Sequence, residues 1–354
     1  MNQKNITFKL FFLCIIFISN HITGQINTLF ESDQIIDLTF DGPFKDVFKD
    51  RGELSSYHKV TVIYQAGRIN EKSPVKIKTR GNFRRLATNC KYPPLLLNFS
   101  KNKQPKNTLF SGQNKLKLVT SCRGSEFVIQ EYLVYCLYNL ITPYSFKAQL
   151  VNVTYKDAIK EKIINKSYGI LLEDEKQMAE RNEAKILKQL KLSPLAIQRQ
   201  KFLKMAVFEY LIGNTDWSIQ YQQNIKLIQT NPSSLPISVP YDFDHAGIVR
   251  APYAKPPPAL KMRNTLERRY GGFCVASINE FTTVFDEFNR LRESIYALYV
   301  NNTLLDQKYI EKTVSFLDGF YETINDPLKA EQAFLYPCDK SGTGNVVIKG
   351  LKKH

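Results

Sequence analysis

Two short stretches of the sequence combine acids and amides in a pattern that suits phosphoryl transfer. In the first, GNTDW, Asp216 follows a helix-like segment, and Asn224 comes eight residues later. In the second, VPYDFDHAG, Asp242 and Asp244 follow an apolar, strand-like segment. Hard divalent cations such as Mg²⁺ bind carboxylate and amide oxygens and leave positions for phosphate oxygens and water.

The order of these residues suggests a role for each of them. Asn224 and Asp242 are the expected metal ligands, and Asp216 is the acid expected to orient or deprotonate an accepting hydroxyl. Asp244 shares one face of an extended chain with Asp242, so it is either a second ligand or a cap of the following turn. Either motif alone fits an ordinary turn. The two motifs in this order, with intervening strands, are more specific.

The first half of the chain, from residue 30 to about 172, is predicted to be mostly β. Several stretches alternate apolar and polar residues or are rich in β-branched and aromatic ones, namely 35–40, 57–65, 74–81, 94–99, 115–121, 148–155 and 167–173. The segment 126–141 instead repeats its apolar residues at close to 3.6 residues, which predicts a helix among the strands.

From about residue 174 the pattern becomes helical. Helices are predicted at 174–192, 193–213, 278–299 and 305–325. The second of these begins with Ser193 and Pro194, a good cap and first-turn pair, and ends at Gly213. We therefore predict an α+β fold in which a β-rich lobe, 25–173, precedes a mainly helical lobe, 174–354. The ligand site is expected between the two lobes.

The first residues have the organisation of a secretory signal peptide. Lys4 and Lys9 supply positive charge, and the apolar run Leu10–Ile18 is too short to span a bilayer. The Ile22-Thr23-Gly24 step then resembles a cleavage site. We expect residues 1–24 to be removed and the chain to be exported to the periplasm, the cell surface or the medium. An uncleaved anchor is the alternative. No later run is long and apolar enough to be transmembrane.

Net charge indicates which partners to expect, and cysteine content indicates which disulfides and metal sites to expect. The formal net charge is +16, spread along the chain, which is typical of a solvated surface and also favours anionic partners. No nucleic-acid-binding motif accompanies it, so no nucleic acid partner is expected. An odd number of cysteines follows the apolar run, so at least one lies outside any disulfide, and their spacings match no zinc site.

The motifs together resemble those of a known enzyme family. RGN at 80–82, GNTDW with its following Asn, and YDFD are similar to elements of the CotH-type atypical kinases. RGNFRR, YPP, KLKLV, EY, GNTDW and YDFD also occur here in the order found in an exported bacterial branch. The resemblance covers about residues 70–250. It implies a two-lobed protein-kinase-like fold that uses ATP with Mg²⁺ or Mn²⁺.

This sequence departs from the family pattern at two places. The spacing from Asp216 to Asn224 is longer than usual between the same roles, so Gln220 and Gln223 remain alternatives to Asn224. The Lys-rich segment expected after RGN is replaced by YPPLLLNF, which contains no lysine. The lysine that holds the nucleotide must therefore come from elsewhere in the chain.

Lys117 is the candidate for that lysine. It lies in a predicted strand, and Glu131 lies among apolar positions of the following helix, where an acid needs a partner. Kinases grip the α- and β-phosphates with a strand lysine held by a helix glutamate. We therefore predict a Lys117–Glu131 ion pair beside the nucleotide. A solvated lysine and a half-exposed glutamate are the alternative, and Lys115 or Lys91 would then be considered.

Arg80 and Gly81 are the second candidate phosphate contact. A strand that runs into Arg-Gly-Asn offers a guanidinium and open backbone N–H groups, both of which suit phosphate. The alternative is a basic hairpin turn, because Arg84 and Arg85 follow closely.

Two classes of function follow from the sequence. The first is an exported kinase that transfers the γ-phosphoryl group of ATP to a hydroxyl of a protein or small molecule. The second is an inactive module of the same type that binds nucleotide or a cell-envelope partner. The acids Asp216 and Asp242 favour the first, whereas the altered lysine segment favours the second.

Cleavage of the signal segment can be tested directly. We expect the exported protein to begin immediately after Gly24, because the apolar run and its flanks fit a signal peptide. Intact-mass measurement of the exported chain gives the answer, and a mature protein that still begins at Met1 would rule out cleavage.

Overall fold

The computed structural model describes residues 29–31, 34–66, 69–99, 108–189, 191–192 and 196–335. The predicted signal peptide lies outside these residues. The first half of the described chain forms a closed barrel. Its strands are β1 (Ile36–Gly42), β2 (His58–Ala66), β3 (Ile69–Thr79), β4 (Leu95–Asn98), β5 (Lys115–Thr120), β6 (Ala148–Asp157) and β7 (Lys162–Leu172).

The barrel closes through one parallel strand pair. Around the barrel the order is β1-β2-β3-β4-β5-β7-β6, and neighbouring strands are antiparallel except β1 and β6. These two run parallel, from Ile36 opposite Val151 to Gly42 opposite Asp157. Because β6 hydrogen-bonds to β1, the sheet has no open edge.

Alternating side chains fill the barrel. In β1 the buried residues include Leu38 and Phe40, each separated from the next by a more exposed one, as the two-residue period of a strand requires. The short helix α1 (Phe44–Lys49) adds Phe44 and Val47 to the same hydrophobic cluster. The barrel interior is therefore a packed core.

The second half of the described chain combines helices with a small antiparallel sheet. In that sheet β9 lies between β8 and β10. Its elements are α3 (Glu175–Arg181), β8 (Lys185–Leu187), α4 (Arg199–Ile212), β9 (Ile225–Gln229), β10 (Ile237–Pro240), α5 (Thr282–Arg290), α6 (Arg292–Val300), α7 (Gln307–Asn325) and α8 (Pro327–Phe334). In the described part of the chain, no helix has the length and apolar character needed to cross a membrane.

The predicted two-lobed protein-kinase-like α+β fold is wrong. The strands assigned to a β-rich amino-terminal lobe close into a seven-stranded mixed barrel. The predicted lobe helix, α2 (Ser125–Ile141), packs against β6, β7 and α6, and its buried side chains belong to the hydrophobic cluster of the second half. Local periodicity identified the strands, but it contains no information about the parallel β1–β6 pairing that closes them.

The individual elements agree better with the sequence. The helix at 126–141 is confirmed as α2, and most predicted strands are present. The helix predicted at 174–192 is wrong beyond Arg181, because Lys185–Leu187 pairs with β9 instead. The helix at 193–213 begins only at Arg199, and its predicted cap at Ser193 and Pro194 lies outside the described residues.

The two acid-bearing loops meet at a close backbone contact. Helix α4 ends at Gly213, whose φ of +68° is left-handed, and its carbonyl accepts from the N–H of Gly247 at 3.1 Å. A Cβ added to Gly247 would lie 2.1 Å from the carbonyl oxygen of Thr265. Gly247 is therefore required for space, and it brings the segment after Asp242 and Asp244 against the segment before Asp216.

We expect Gly247→Ala to lower the free energy of unfolding by roughly 1–3 kcal/mol, the usual cost of overpacking. The backbone carbonyl of Thr265 cannot move aside as a flexible side chain can. Gly52→Ala is the matched control, because a Cβ there would have no atom within 4 Å. Urea unfolding of both variants measures the difference, and equally small effects would contradict the crowding argument.

Candidate active site

Arg84 is the centre of the candidate site. It lies on a short 3-10 turn, Phe83–Arg85, between β3 and β4, and its side chain is only 10% exposed. Its Nη1 lies 3.3 Å from Glu131, its Nη2 lies 2.8 Å from Asp242, and its Nε lies 3.3 Å from Asp244. One guanidinium therefore joins helix α2 to the loop after β10.

Several contacts hold the loop that carries Arg84. The disulfide Cys90–Cys122 ties the loop to the segment just before α2. Arg51 donates hydrogen bonds to the carbonyls of Arg85, Cys90 and Lys91. These links fix the backbone on both sides of the guanidinium. Cys136 lies outside any disulfide, in keeping with the odd cysteine count.

The acids after β10 are positioned by backbone geometry and by α2. Asp242 has a φ of +66°, a left-handed conformation that is uncommon for a non-glycine residue. Its N–H donates to the hydroxyl of Tyr135 on α2 at 2.9 Å. The side chain of Asp242 is 42% exposed, whereas that of Asp244 is 9% exposed. Both acids contact the same guanidinium, although the left-handed backbone at Asp242 shows that the chain is not extended there as predicted.

Asp216 and Asn224 are in direct hydrogen-bond contact. The Nδ2 of Asn224 donates to the backbone carbonyl of Asp216 at 2.8 Å and to its Oδ2 at 3.1 Å. Of the three residues considered for this position, Asn224 is therefore the one hydrogen-bonded to Asp216. Its role as a metal ligand stays a prediction.

Sequence reasoning missed a buried acid, Glu209, which positions Asp216 through Asn214. Glu209 on α4 is 1% exposed and accepts from the Nδ2 of Asn214 at 2.9 Å. The Oδ1 of Asn214 in turn accepts from the N–H of Asp216 at 3.0 Å. Burial raises the pKa of Glu209 well above its usual range. Its position just before Gly-Asn-Thr-Asp was the available signal, since a helix acid among apolar residues needs a partner.

The predicted Lys117–Glu131 ion pair is absent from the described structure. Glu131 is bound by Arg84, and no carboxylate of the described residues forms an ion pair with Lys117. Lys117 instead lies over the ring of Tyr241, with Nζ 4.9 Å from the ring centroid. Glu131 has a partner as expected, but that partner comes from the β3–β4 loop.

A group of cations lies beside Asp242. Lys226 also lies over Tyr241, at 5.5 Å, and pairs with Glu175 at 2.7 Å. Burial, together with the charges of Arg80 and Lys226, lowers the pKa of Lys117 to about 8. Neither Lys117 nor Arg80 forms an ion pair with another described residue. These two cations are therefore available to an anion.

Gly81 has a backbone role in this group. Its φ of +89° is accessible to glycine at little cost, and it turns the chain directly after Arg80. The N–H of Arg80 donates to the carbonyl of Pro94 at 2.9 Å, which anchors the end of β3. The part of Gly81 in phosphate binding stays a prediction.

The pKa values of the acids in this site are shifted in different directions. Burial, reinforced by Asp244 and Asp242, raises the pKa of Glu131 to about 8 in spite of Arg84. Burial would also raise the pKa of Asp242, but Arg84, Arg80, His245 and Lys117 together outweigh it and lower that pKa. Burial raises the pKa of Asp216. Beside one guanidinium, the pKa of Glu131 is therefore raised while that of Asp242 is lowered.

Among the described residues, no group of three or more acidic, histidine or cysteine side chains forms a cluster suited to a metal ion. Mg²⁺ commonly binds through one or two carboxylates and takes its other ligands from phosphates and water. Asp242 fits this pattern because it is the most exposed of the acids around Arg84. Its Oδ1 already contacts that arginine.

We expect Arg84→Met to lower the free energy of unfolding by about 3 kcal/mol at pH 8, because it leaves carboxylates buried without their cation. The loss should shrink at pH 5. Once Arg84 no longer lowers its pKa, Asp242 binds a proton more readily in the folded state, and protonation removes the unpaired charge. Urea unfolding at both pH values measures the change.

Arg85→Met is the matched control for that variant. Arg85 adjoins Arg84, contacts the carbonyl of Gly52 and forms no ion pair with a described acid. Its replacement should change stability by less than about 1 kcal/mol and show no such pH dependence. Similar, pH-independent losses in the two variants would mean that Arg84 contributes no special pairing.

Comparison with known proteins found no matching family model and no matching curated protein for this chain. The resemblance to CotH-type kinases consequently rests on the motifs alone. The proposed function therefore depends on the geometry around Arg84 and Asp216.

Proposed function

We propose that this protein is an ATP-dependent phosphotransferase that acts on a hydroxyl group. The observation that carries the proposal is the juxtaposition of two kinds of charge. Arg80 and Lys117 are cations without an acidic partner in the described chain, and their charges act on the carboxylate of Asp242. Burial raises the pKa of Asp216, and the negative charge of Asp242 contributes to the same shift.

Each residue has a distinct part in the proposed reaction. Arg80 and Lys117 would bind phosphate oxygens, and Asp242 would hold a Mg²⁺ or Mn²⁺ ion that offsets the phosphate charge. Asp216 accepts the proton of the acceptor hydroxyl while that oxygen bonds to the γ-phosphorus. The bond from the γ-phosphorus to the bridging oxygen breaks, and ADP leaves. A general base works best with a pKa near the working pH, and burial shifts Asp216 in that direction.

Export of the protein is part of the proposal. The disulfide Cys90–Cys122 fits an oxidising compartment, where such bonds persist. It supports the expectation, drawn from the first 24 residues, of a periplasmic, surface or extracellular location. The acceptor is then a hydroxyl-bearing molecule outside the cytoplasm.

A second candidate function is an inactive module that binds nucleotide or an envelope partner. It is favoured by the ion pairs of Arg84, which already contacts Asp242 and Asp244. A guanidinium at that position satisfies the acids without any metal. The two functions differ in whether Asp242 is needed for metal-dependent binding and whether transfer occurs.

We expect Asp242→Ala to abolish both metal-dependent nucleotide binding and phosphoryl transfer. Asp216→Ala should leave nucleotide binding nearly intact and lower turnover by roughly 10²–10⁴-fold, the usual contribution of a general base. Transfer is measured with labelled ATP and Mg²⁺ or Mn²⁺, including autophosphorylation, and binding is measured separately by calorimetry.

Glu293→Ala serves as the control, because Glu293 is an exposed acid on α6 outside the site. Thermal melts first establish that all variants are folded. Nucleotide binding that needs neither metal nor Asp242, without transfer to any acceptor tried, would support the inactive module. Equal loss of binding in both site variants would place Asp216 on the metal instead.

A further inference from the structure

A cavity between helices α2 and α6, which pack against each other, shares no lining residue with the candidate active site. Its volume is about 500 Å³, within the range of pockets that bind small ligands. One face of α2 lines it, through residues that recur three or four positions apart. The lining residues of the two helices that matter are Tyr132, Leu133, Cys136, Asn139, Leu140 and Leu298.

The lining is elongated and largely apolar along α2. Tyr132 and Leu140 are eight residues apart, a distance of about 12 Å at the rise of an α-helix. Leu133 is only 3% exposed, whereas Leu140 is 41% exposed, so the lining extends from the interior to the surface. Leu298 of α6 and Phe30 add further apolar surface. A cavity of this form suits a hydrocarbon chain.

A single charged side chain belongs to the described lining of this cavity. Lys147 is half-buried and forms no ion pair with a described acid. Asn139, near the end of α2, donates to the carbonyl of Phe146 at 2.9 Å, which places the backbone of Lys147 at that end of the cavity. The carboxylate of Glu173 accepts from the backbone N–H of Lys147, but Arg181 binds that carboxylate through both Nε and Nη2. A partly buried ammonium group gains stability from an anionic partner.

A single cation beside an elongated apolar lining points to an amphipathic ligand with one negative charge. A neutral lipid would leave the ammonium group without its anion, and a small inorganic anion would leave the apolar lining in contact with water. We propose that this cavity binds a medium-chain fatty acid, with the carboxylate on Nζ of Lys147 and the acyl chain along Leu133 and Leu298. The inference depends on this cavity alone and holds whether or not the protein transfers phosphate.

The first test is calorimetric titration of the purified full chain with decanoate and with decanol, its uncharged counterpart in length. Decanoate should bind saturably, and decanol should bind at least about tenfold more weakly because it lacks the charge-assisted contact. Lys147→Gln should weaken decanoate binding about tenfold for the same reason, whereas Lys147→Arg should retain it. Lys308→Gln is the control, because it removes an exposed lysine of α7 and should change nothing. Thermal melts establish that the variants are folded.

The second test uses Cys136 as a reporter inside the cavity. Its half-buried thiol lies outside any disulfide and lines the cavity. Decanoate should therefore slow its alkylation by N-ethylmaleimide, and the alkylated protein should bind decanoate at least about tenfold more weakly, because the adduct occupies the space of the acyl chain. Peptide mass spectrometry locates the label.

Three outcomes overturn the proposal. The first is the absence of saturable decanoate binding, and a Cys136 thiol that is also unreactive would then indicate a cavity filled by the chain itself. The second is decanol binding as tight as decanoate binding, together with no effect of Lys147→Gln, because the cavity would then be apolar without selecting an anion. The third is decanoate binding that alkylation of Cys136 leaves unchanged, because the ligand would then lie elsewhere.

Discussion

The buried guanidinium of Arg84 is the constraint on which the candidate site depends. It faces carboxylates from helix α2 and from the loop after β10, which are far apart in the chain. A charge in such surroundings is tolerated only when it is paired, and the two buried acids, Glu131 and Asp244, are likewise stabilised by the guanidinium. The guanidinium therefore links the β3–β4 loop, α2 and the acid-bearing loop to one another.

The balance between positive and negative charges around Arg84 determines which ligands the site can bind. One cation cannot neutralise three carboxylates, and Glu131, the most buried of them, accordingly has a pKa raised to about 8 by burial and by its acidic neighbours. Asp242 remains ionised and is partly exposed. Beside Asp242, Lys117 and Arg80 contribute positive charge, and neither forms an ion pair with an acid of the described residues. The site thus places a partly exposed carboxylate beside two half-buried cations, and the proposed binding of a metal-bound phosphate would use this combination.

Local features of this protein could be predicted from sequence, and long-range pairings could not. Strand periodicity and the helix at 126–141 are properties of neighbouring residues, so they were recovered. The parallel β1–β6 pairing joins distant segments and has no local signature, and the pairing of β8 with β9 overrides an amphipathic pattern that favours helix. Asp216 and Asn224 were found because their spacing is short. Arg84 was passed over because Arg80 and Arg85 have the same charge, and only the tertiary structure shows which arginine is buried.

The position of Arg84 also bears on how the proposed substrate would bind. A divalent cation alone at Asp242 would be repelled by the guanidinium that contacts the same carboxylate, and by Lys117 and Arg80 nearby. A triphosphate alone would be attracted to those cations but repelled by Asp242. When ion and triphosphate bind together, the phosphate charges offset the repulsion between ion and protein cations, and the ion offsets the repulsion between phosphate and carboxylate. In the proposed function, this arrangement of charges would favour the metal–nucleotide complex over either component alone.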